Sequence, residues 1–565
     1  MTAAAVPARI SRHAAQDLAG WWKARRYAVP RWMIERATER RLAGDWAGAC
    51  AAARITVELD PAEISREHGA EVAGAVLDDL RHLVPDLLRW HLPRAGQGRH
   101  TISTRTAVVL AEYGGSERNV LKLYVATPTL DEGPQRLRLR FGRAIGNDDD
   151  ERFGLAPVRW VRLRHLWDAR RTRELLERCG GDRHRAPFFR PDGTPVAGPG
   201  PGGDGGPAEL AERVALLQDR GEVEAAFDAA GIDLDLADRG VLELRRVEPR
   251  RVLAELPLAL TRFAPEMRVL GGDRYEIVWR WQTPVLIEAG DRPRVRVAGF
   301  NEAGGAERLP AAVWRRLPDL DLLRAGRITP EDLHPLVRSA LFPARPEPDR
   351  PVGPPEPSLP GPVRVRCRGE WHRVQLRDGR LHTPHTDHEH QREAAVHSLG
   401  GATAGCFAVL DAWTGRGGRL PRRMRAQREE LFLRAQHGDT PGVLALLDAG
   451  VEPNARDGRG RTLLHMLHAL DHEELLPRLL RAGLDIDARD ERNRTPLHLA
   501  IGGHGSQELI RALLDAGARI DAADDRGSRP VNMISANRRP RMRWLARLLA
   551  QRGLDPGTDW LKAGE

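Results

Sequence analysis

Cysteine is scarce in this chain of 565 residues, and its copies lie far apart at Cys50, Cys179, Cys367 and Cys406. No C-x-x-C pair occurs, so the spacing predicts neither a disulfide framework nor a zinc site built on thiolates. We expect the cysteines to be reduced and mostly buried, as in a reducing compartment.

Lysine is almost absent: only Lys23, Lys122 and Lys562 occur, and arginine supplies nearly all of the positive charge. The formal net charge is +9, which on its own would suggest nucleic acid as a partner. However, 79 acidic residues are interleaved with the arginines. The pattern indicates a mixed, solvated surface rather than one basic face, and nucleic acid is a disfavoured partner.

Long apolar runs are also missing. The longest, residues 399–410, is broken by glycine and falls short of the ~20 residues that span a bilayer. Residues 1–20 lack the apolar stretch of a secretory signal. We therefore expect no membrane segment and a cytoplasmic location.

The length predicts several folding units, at roughly 100–200 residues each. Alternating or β-branched runs at 101–110, 120–125 and 137–141 predict strands, and an arginine- and leucine-rich run at 164–178 predicts a helix. Glycine- and proline-rich stretches mark the boundaries. The expected units are an α+β domain with a helical N-terminus (1–190), a Gly/Pro linker or disordered insertion (191–207), a second α+β segment (208–342), a Pro-rich linker (343–362), a small β module with a histidine cluster (363–424) and a repeat region (425–565).

A formal G-x-G-x-x-G occurs at Gly198, Gly200 and Gly203. A dinucleotide site needs this pattern between a strand and a helix, whereas here prolines flank the glycines and no apolar strand precedes them. Composition alone explains the match. We expect no cofactor.

Histidine is concentrated between positions 372 and 397. Imidazole is a common metal ligand, but no H-E-x-x-H motif occurs, and Pro384 argues against a helix there. The first interpretation is a polar hairpin and loop with exposed histidines. The alternative is a metal site with the ligands His382, His385, His388 and His390. Because no G-x-S-x-G elbow is present either, an enzyme is the less favoured class.

The clearest signal is a period of 33 residues near the C-terminus. Thr462-Leu-Leu-His465 and Thr495-Pro-Leu-His498 are 33 residues apart, and a leucine-rich segment before each ends in Ala-Gly. The third such ending is at Gly517. A fixed period of this size indicates stacked units that share one core.

Residues 428–556 resemble ankyrin repeats, because Asp490 to His498 follows the family's Asp-x-x-Gly-x-Thr-Pro-Leu-His stretch. Thr495 is expected to cap the first helix, and Pro496 to preform its first turn. Four units can be counted, with atypical units at the ends. The residues expected to maintain the repeats are Thr462, His465, Gly483, Thr495, Pro496, Leu497, His498 and Gly517.

The repeats also depart from the family pattern. Leu463 replaces the proline, Asn493 replaces the glycine, and Pro477 falls within a second helix. We expect Pro477 in an early turn, because deeper in the helix it would cost ~3 kcal/mol.

The resemblance implies a binding scaffold without catalysis of its own. An Asp-x-Arg motif recurs at the turn tips, and stacking would place Arg459, Arg492 and Arg526 in a row about 10 Å apart. Such a row suits an acidic protein surface or this chain's own N-terminal region; solvated tips are the other interpretation. The candidate partner-binding residues are Arg459, Arg461, Arg492, Arg494, Arg526 and Arg529.

The expected fold is therefore multidomain, with an N-terminal α+β region, a small β-hairpin module and an all-α ankyrin-repeat solenoid. The expected function is protein–protein interaction, with the activity of residues 1–420 unassigned. The alternative is a metal-dependent enzyme that uses the histidine cluster and docks its substrate or partner on the repeats.

Overall fold

The structure is a computed structural model. It describes residues 12–95, 100–114, 120–143, 145, 155–196, 205–237, 248–278, 284–298, 304–357, 361–377, 380–399, 403–413, 420–536 and 543–551. It is a mixed α+β structure with three small sheets among these residues. None of its described helices is both long enough and apolar enough to cross a bilayer. The Gly198, Gly200 and Gly203 motif lies outside the described residues.

The contacts between residues divide the chain into two compact units. The first comprises residues 1–131, 136–146 and 154–354, and the second comprises residues 132–135, 147–153 and 355–565.

The first unit contains fourteen α-helices within the described ranges. They are α1 (Arg12–Tyr27), α2 (Arg31–Leu42), α3 (Trp46–Ala52), α4 (Pro61–His68), α5 (Ala70–His82), α6 (Pro85–His91), α7 (Leu175–Arg178), α8 (Pro207–Asp219), α9 (Val223–Ala229), α10 (Pro249–Glu255), α11 (Phe263–Leu270), α12 (Ala311–Trp314), α13 (Pro318–Arg324) and α14 (Pro335–Leu341).

Its strands form two five-stranded sheets, ordered β1-β4-β3-β2-β5 and β10-β7-β8-β9-β6. One buried cluster includes side chains from both, such as Val108 and Ile277. The strands are β1 (Ile55–Glu58), β2 (Thr106–Tyr113), β3 (Leu121–Ala126), β4 (Leu137–Gly142), β5 (Ala156–Arg159), β6 (Asp233–Asp235), β7 (Arg274–Val278), β8 (Pro284–Glu288), β9 (Arg294–Val297) and β10 (Glu307–Arg308).

The predicted alternation of β4 is present: Leu137 and Leu139 are buried, whereas Arg138 and Arg140 are half-buried. By contrast, β2 is buried on both faces. Val108 faces one apolar cluster and Val109 faces another, because successive side chains of a strand point to opposite faces of its sheet.

The helix predicted over 164–178 is wrong for most of its length. Two short 3-10 turns, Arg164–Leu166 and Thr172–Glu174, precede the four-residue α7. The buried carboxylate of Asp168 accepts bonds from the side chains of Arg164 and Arg170 and from the Arg170 N–H. These bonds hold the intervening chain in a turn, so a continuous helix cannot form.

The second unit begins with a three-stranded antiparallel sheet, β11-β12-β13. One buried cluster runs from this sheet into the repeats and includes Val365, Phe407 and Leu431. The elements are β11 (Val363–Cys367), β12 (Glu370–Arg377), β13 (Arg380–His382), α15 (Asp387–Ser398), α16 (Gly405–Trp413), α17 (Arg422–His437), α18 (Thr440–Asp448), the 3-10 helix Leu463–Ala469, α19 (His472–Arg481), α20 (Pro496–Gly502), α21 (Gln507–Asp515), α22 (Pro530–Ala536) and α23 (Arg543–Gln551).

Two local expectations in the second unit are wrong. Pro477 is the sixth residue of the ten-residue α19 rather than part of its first turn. The region of His388 and His390 is helical (α15), because Thr386 and Glu389 form a capping box, and the helix begins at Asp387, three residues after Pro384.

Candidate functional sites

The turn tips of the repeats are built on an aspartate. Asp457 Oδ1 accepts the backbone N–H groups of Arg459 and Arg461, at 2.8 and 2.9 Å. Its Oδ2 accepts Arg461 Nε at 2.7 Å. The side chain of Arg461 therefore closes the turn from within the repeat.

The next tip repeats this geometry. Asp490 Oδ1 accepts the N–H groups of Arg492 and Arg494, and Arg494 Nε bonds Asp490 Oδ2 at 2.9 Å. Asp490 is buried, and although burial opposes ionisation, the bonds from Arg494 hold its pKa below the ordinary value. The main structural role of the Asp-x-Arg-x-Arg pattern is thus to form the turn.

Successive tips are also tied to one another by two arginines that the sequence analysis did not single out. Arg456 Nη1 bonds the Gly460 carbonyl in its own tip and the Arg489 carbonyl in the next, at 2.6 and 2.7 Å. Arg489 does the same with Asn493 and Ala523. In the sequence, each of these arginines directly precedes the aspartate of its tip, and this recurrence could have identified them.

The Thr-x-x-His stretches form reciprocal caps. Thr495 N–H donates to His498 Nδ1 at 3.1 Å, and His498 Nε2 lies 3.1 Å from the Ser528 carbonyl oxygen in the following tip. Thr462 and His465 make the same pair of contacts one repeat earlier, reaching the Arg494 carbonyl. Burial lowers the pKa of His465 to about 4, so the neutral imidazole is the form that holds the two repeats together.

Other expected repeat residues occupy specialised positions. Pro496 is the first residue of α20, and Leu497 is fully buried. Gly483 and Gly517 follow the second helices with φ of 82° and 93°, a region that favours glycine.

The tip arginines fall into two groups. Arg461 and Arg494 are half-buried in their own turns, whereas Arg459, Arg492, Arg526 and Arg529 are exposed. Within the second unit, Arg459 and Arg461 both bond the carboxylate of Glu132, Arg461 at 3.2 Å. Partial burial opposes ionisation of Glu132, but the bond from Arg459 and the charge of Arg461 hold its pKa below the ordinary value.

The structure does not bring together the four histidines of the alternative metal site. His382 and His388 are exposed. His390 is half-buried, with its Nε2 3.1 Å from Thr383 Oγ1. Only His385 joins a group of metal-ligating side chains, and its companions are Cys367, His372 and Cys406.

These four side chains, here called the Cys/His cluster, place one ligand atom each within 4.8 Å of the other three. Cys367 Sγ is 3.5 Å and His372 Nδ1 is 3.1 Å from His385 Nε2, while Cys406 Sγ is 3.6 Å from His372 Nδ1. Cys367 and Cys406, which lie far apart in the sequence, thus come close together in the structure. Both are buried and free.

Two local features bring the cluster together. Cys367 pairs with Glu370 across a two-residue hairpin turn in which Arg368 and Gly369 both have positive φ, 51° and 93°. This tight turn brings β12, and with it His372, back beside Cys367. At the start of α16, a Cβ on Gly405 would lie 2.6 Å from Cys367 Sγ, so glycine is what lets the helix and Cys406 approach.

The first unit contains a cavity of about 440 Å³. Five arginines and two aspartates contribute to its wall, together with His91 and His165. Among the described residues, His91 Nε2 and His165 Nδ1 are buried without a hydrogen-bond partner. Burial, followed by nearby arginine charge, holds the pKa of both histidines well below the ordinary value.

Comparison with known proteins identifies the repeats. Residues 431–524 match the family model described as ankyrin repeats (3 copies). The expected resemblance is therefore confirmed for this stretch, and no family matches the rest of the chain. A search of curated proteins gave no match. Ankyrin repeats are generally protein–protein interaction modules.

Proposed function

We propose that the ankyrin repeats dock an acidic segment of a protein partner on the exposed tip arginines Arg459, Arg492 and Arg526. The observation that carries this proposal is the carboxylate of Glu132, which Arg459 and Arg461 hold together. A guanidinium pair around one carboxylate is the contact that an acidic partner would make.

The equivalent arginines of the following tips support the same role. Arg492 and Arg526 are exposed, and their backbone N–H groups, rather than their guanidinium groups, build the turns. Neither side chain makes an ion pair with another residue that the structure describes. Opposite charge at a rim mainly increases association rate and specificity, and salt weakens it.

The test measures binding of a fluorescent ten-residue glutamate peptide to the full chain by anisotropy. We expect Arg459→Glu, Arg492→Glu and Arg526→Glu together to weaken binding at least tenfold. The matched control reverses three exposed arginines of α17, namely Arg422, Arg423 and Arg425, with the same change in net charge.

Three results would count against the docking proposal: no binding by the unaltered chain, equal losses in the two triple variants, or a larger loss in the control. A single change tests the role of Glu132 directly. Glu132→Ala removes the carboxylate that occupies Arg459, so the peptide should bind several-fold more tightly.

The cavity of the first unit favours a second candidate function, binding of a small anion that carries a carboxylate or phosphate. Its volume of about 440 Å³ is typical of ligand sites. Three of its wall arginines are already paired, Arg25 with Asp319, Arg178 with Glu266 and Arg315 with Asp17. Arg94 differs, because its Nε and Nη1 are buried without a hydrogen-bond partner among the described residues.

A ligand that binds only the folded chain raises its unfolding temperature. We expect phosphate or citrate to raise the Tm of the full chain and Arg94→Gln to abolish most of that shift. Arg220→Gln, at a side chain that is 63% exposed, is the control. An unchanged Tm with both anions, or equal shifts in the two variants, would contradict anion binding.

A further inference from the structure

We propose that the Cys/His cluster is a structural zinc site, with Cys367 Sγ, His372 Nδ1, His385 Nε2 and Cys406 Sγ as the four ligands. This inference does not depend on the docking function or on the cavity. It differs from the histidine site considered from the sequence, because it uses two cysteines and shares only His385 with it.

The distances between ligand atoms fit a tetrahedral ion. Zinc binds sulfur at about 2.3 Å and imidazole nitrogen at about 2.0–2.1 Å, which places sulfur and nitrogen about 3.5–3.6 Å apart and the two nitrogens about 3.3–3.4 Å apart. Two of the four S···N distances of the cluster are 3.5 and 3.6 Å. The N···N distance is 3.1 Å. Three of the six distances between ligand atoms are thus close to those of a tetrahedral site, and all six are at most 4.8 Å.

The donor types select the metal. Two thiolates and two imidazoles suit zinc, whereas magnesium and calcium prefer oxygen ligands. Hydrogen bonds alone do not explain why these cysteine and histidine side chains face one another, because their ligand atoms satisfy one another poorly. An ion at the centre would accept all four lone pairs.

Each histidine has a carboxylate near its other ring nitrogen. His385 Nδ1 lies 3.7 Å from Glu389 Oε1, and His372 Nε2 lies 3.8 Å from Glu370 Oε2, both beyond hydrogen-bond distance. Carboxylates that do hydrogen-bond this nitrogen orient zinc-bound imidazoles and raise their basicity, so each would need a small movement to take that role. The ring of Phe407 packs 4.5 Å from the ring of His385 and further fixes its orientation.

Four protein ligands leave no open position for water or substrate, so the site would be structural rather than catalytic. The ion would tie the β11–β12 hairpin to the segment before α15 and to the start of α16. Binding free energy at such a site becomes folding free energy. Because the hairpin and α16 share a buried cluster with the repeats, the ion would brace one end of that core.

The test begins with the zinc content of the purified full chain, measured by elemental mass spectrometry. We expect one zinc per chain, lost or bound at least tenfold more weakly after Cys406→Ser or His385→Ala. Cys179→Ala and His388→Ala are the matched controls, since neither residue belongs to the cluster, and both should retain the metal. Cobalt in place of zinc should show thiolate charge-transfer and tetrahedral ligand-field absorption.

A variant that fails to fold could lose zinc for another reason, and Cys406→His addresses this, because it keeps a zinc ligand and should keep the metal. Removing the ion with a chelator should accelerate hydrogen exchange in 361–413 and leave the first unit unchanged. The inference is overturned if the chain takes up no stoichiometric zinc or cobalt, or if His385→Ala keeps unaltered affinity. A Cys367–Cys406 disulfide, seen as a mass lower by about 2 Da under oxidant-free conditions, would also overturn it.

Discussion

Replacing Arg434 with alanine tests how much its buried ion pairs stabilise the repeats. Arg434 is 1% exposed within α17. Its Nη1 lies 2.5 Å from Asp439 Oδ2, and its Nε and Nη2 lie 3.1 and 2.9 Å from Glu430 Oε1. Asp439 is equally buried, and Glu430 is 6% exposed. Alanine would leave two carboxylates in this environment without their bonded cation.

Removing one member of a buried, hydrogen-bonded ion pair costs about 3–5 kcal/mol, because the remaining charge stays desolvated. The matched control is Arg519→Ala. Arg519 pairs with Asp521 at 3.2 Å, but both side chains are 62% exposed. An exposed pair of this kind contributes little to stability, because solvent screens its charges. The two substitutions remove the same functional group and should differ by several kcal/mol.

Hydrogen exchange of the full chain, followed on peptides that contain each ion pair, reports the local free energy of opening. Arg434→Ala should accelerate exchange in α17 and α18 by roughly 10²-fold or more, whereas Arg519→Ala should change exchange around residues 515–525 less than about tenfold. Arg434→Lys keeps the charge without the fork of donors and should fall between them. Equal effects of Arg434→Ala and Arg519→Ala would refute the reasoning.

Three further predictions concern the repeats. Pro477→Ala should stabilise them by about 1–3 kcal/mol in urea unfolding, because it restores an N–H that can bond the Glu473 carbonyl and the site is exposed. Lowering the pH from about 6.5 to 4 should destabilise the repeats, because the pKa of His465 is about 4 in the folded chain and about 6.5 in the unfolded chain. The unfolded chain therefore takes up the proton first. The full stability is present above pH 6.5, and about 2 kcal/mol is lost by pH 5. His465→Gln should flatten that pH profile, and an unchanged slope would contradict the assignment. Thr495→Ala should cost about 1 kcal/mol and Thr495→Ser less, because serine keeps the hydroxyl of the capping box and removes only the methyl group.

The repeats were readable from the sequence because their information is local. A threonine, a proline and a histidine within four residues determine a cap, a first turn and a contact with the next tip. The threonine and the histidine also occur one period earlier, at Thr462 and His465, so the contact between neighbouring repeats is encoded twice. The strand β4 was readable for a similar reason, since alternating leucine and arginine match the period of a one-sided sheet.

The Cys/His cluster was not readable, because its ligands have irregular spacing and meet only through the fold. The approach of α16 to Cys367 depends on Gly405, and no short motif encodes that approach. The sequence did contain one local signal for helix α15, because Thr386 and Glu389 have the spacing of a capping box. Pro384 argued against a helix, but a proline that precedes the cap restricts only the chain before it.

The tip arginines show that arginines of the same repeated motif can have different roles. The sequence makes Arg459 and Arg461 look alike, and both bond Glu132 in the structure. However, only the side chain of Arg461 also closes the turn on Asp457, to which Arg459 contributes its backbone N–H. Charge reversal at Arg461 would place a carboxylate beside Asp457 and weaken both the turn and any binding surface. Reversal at Arg492 changes an exposed group whose turn is held by its backbone N–H. A substitution at Arg492 can therefore remove a partner contact without disturbing the fold, whereas a substitution at Arg461 would affect both.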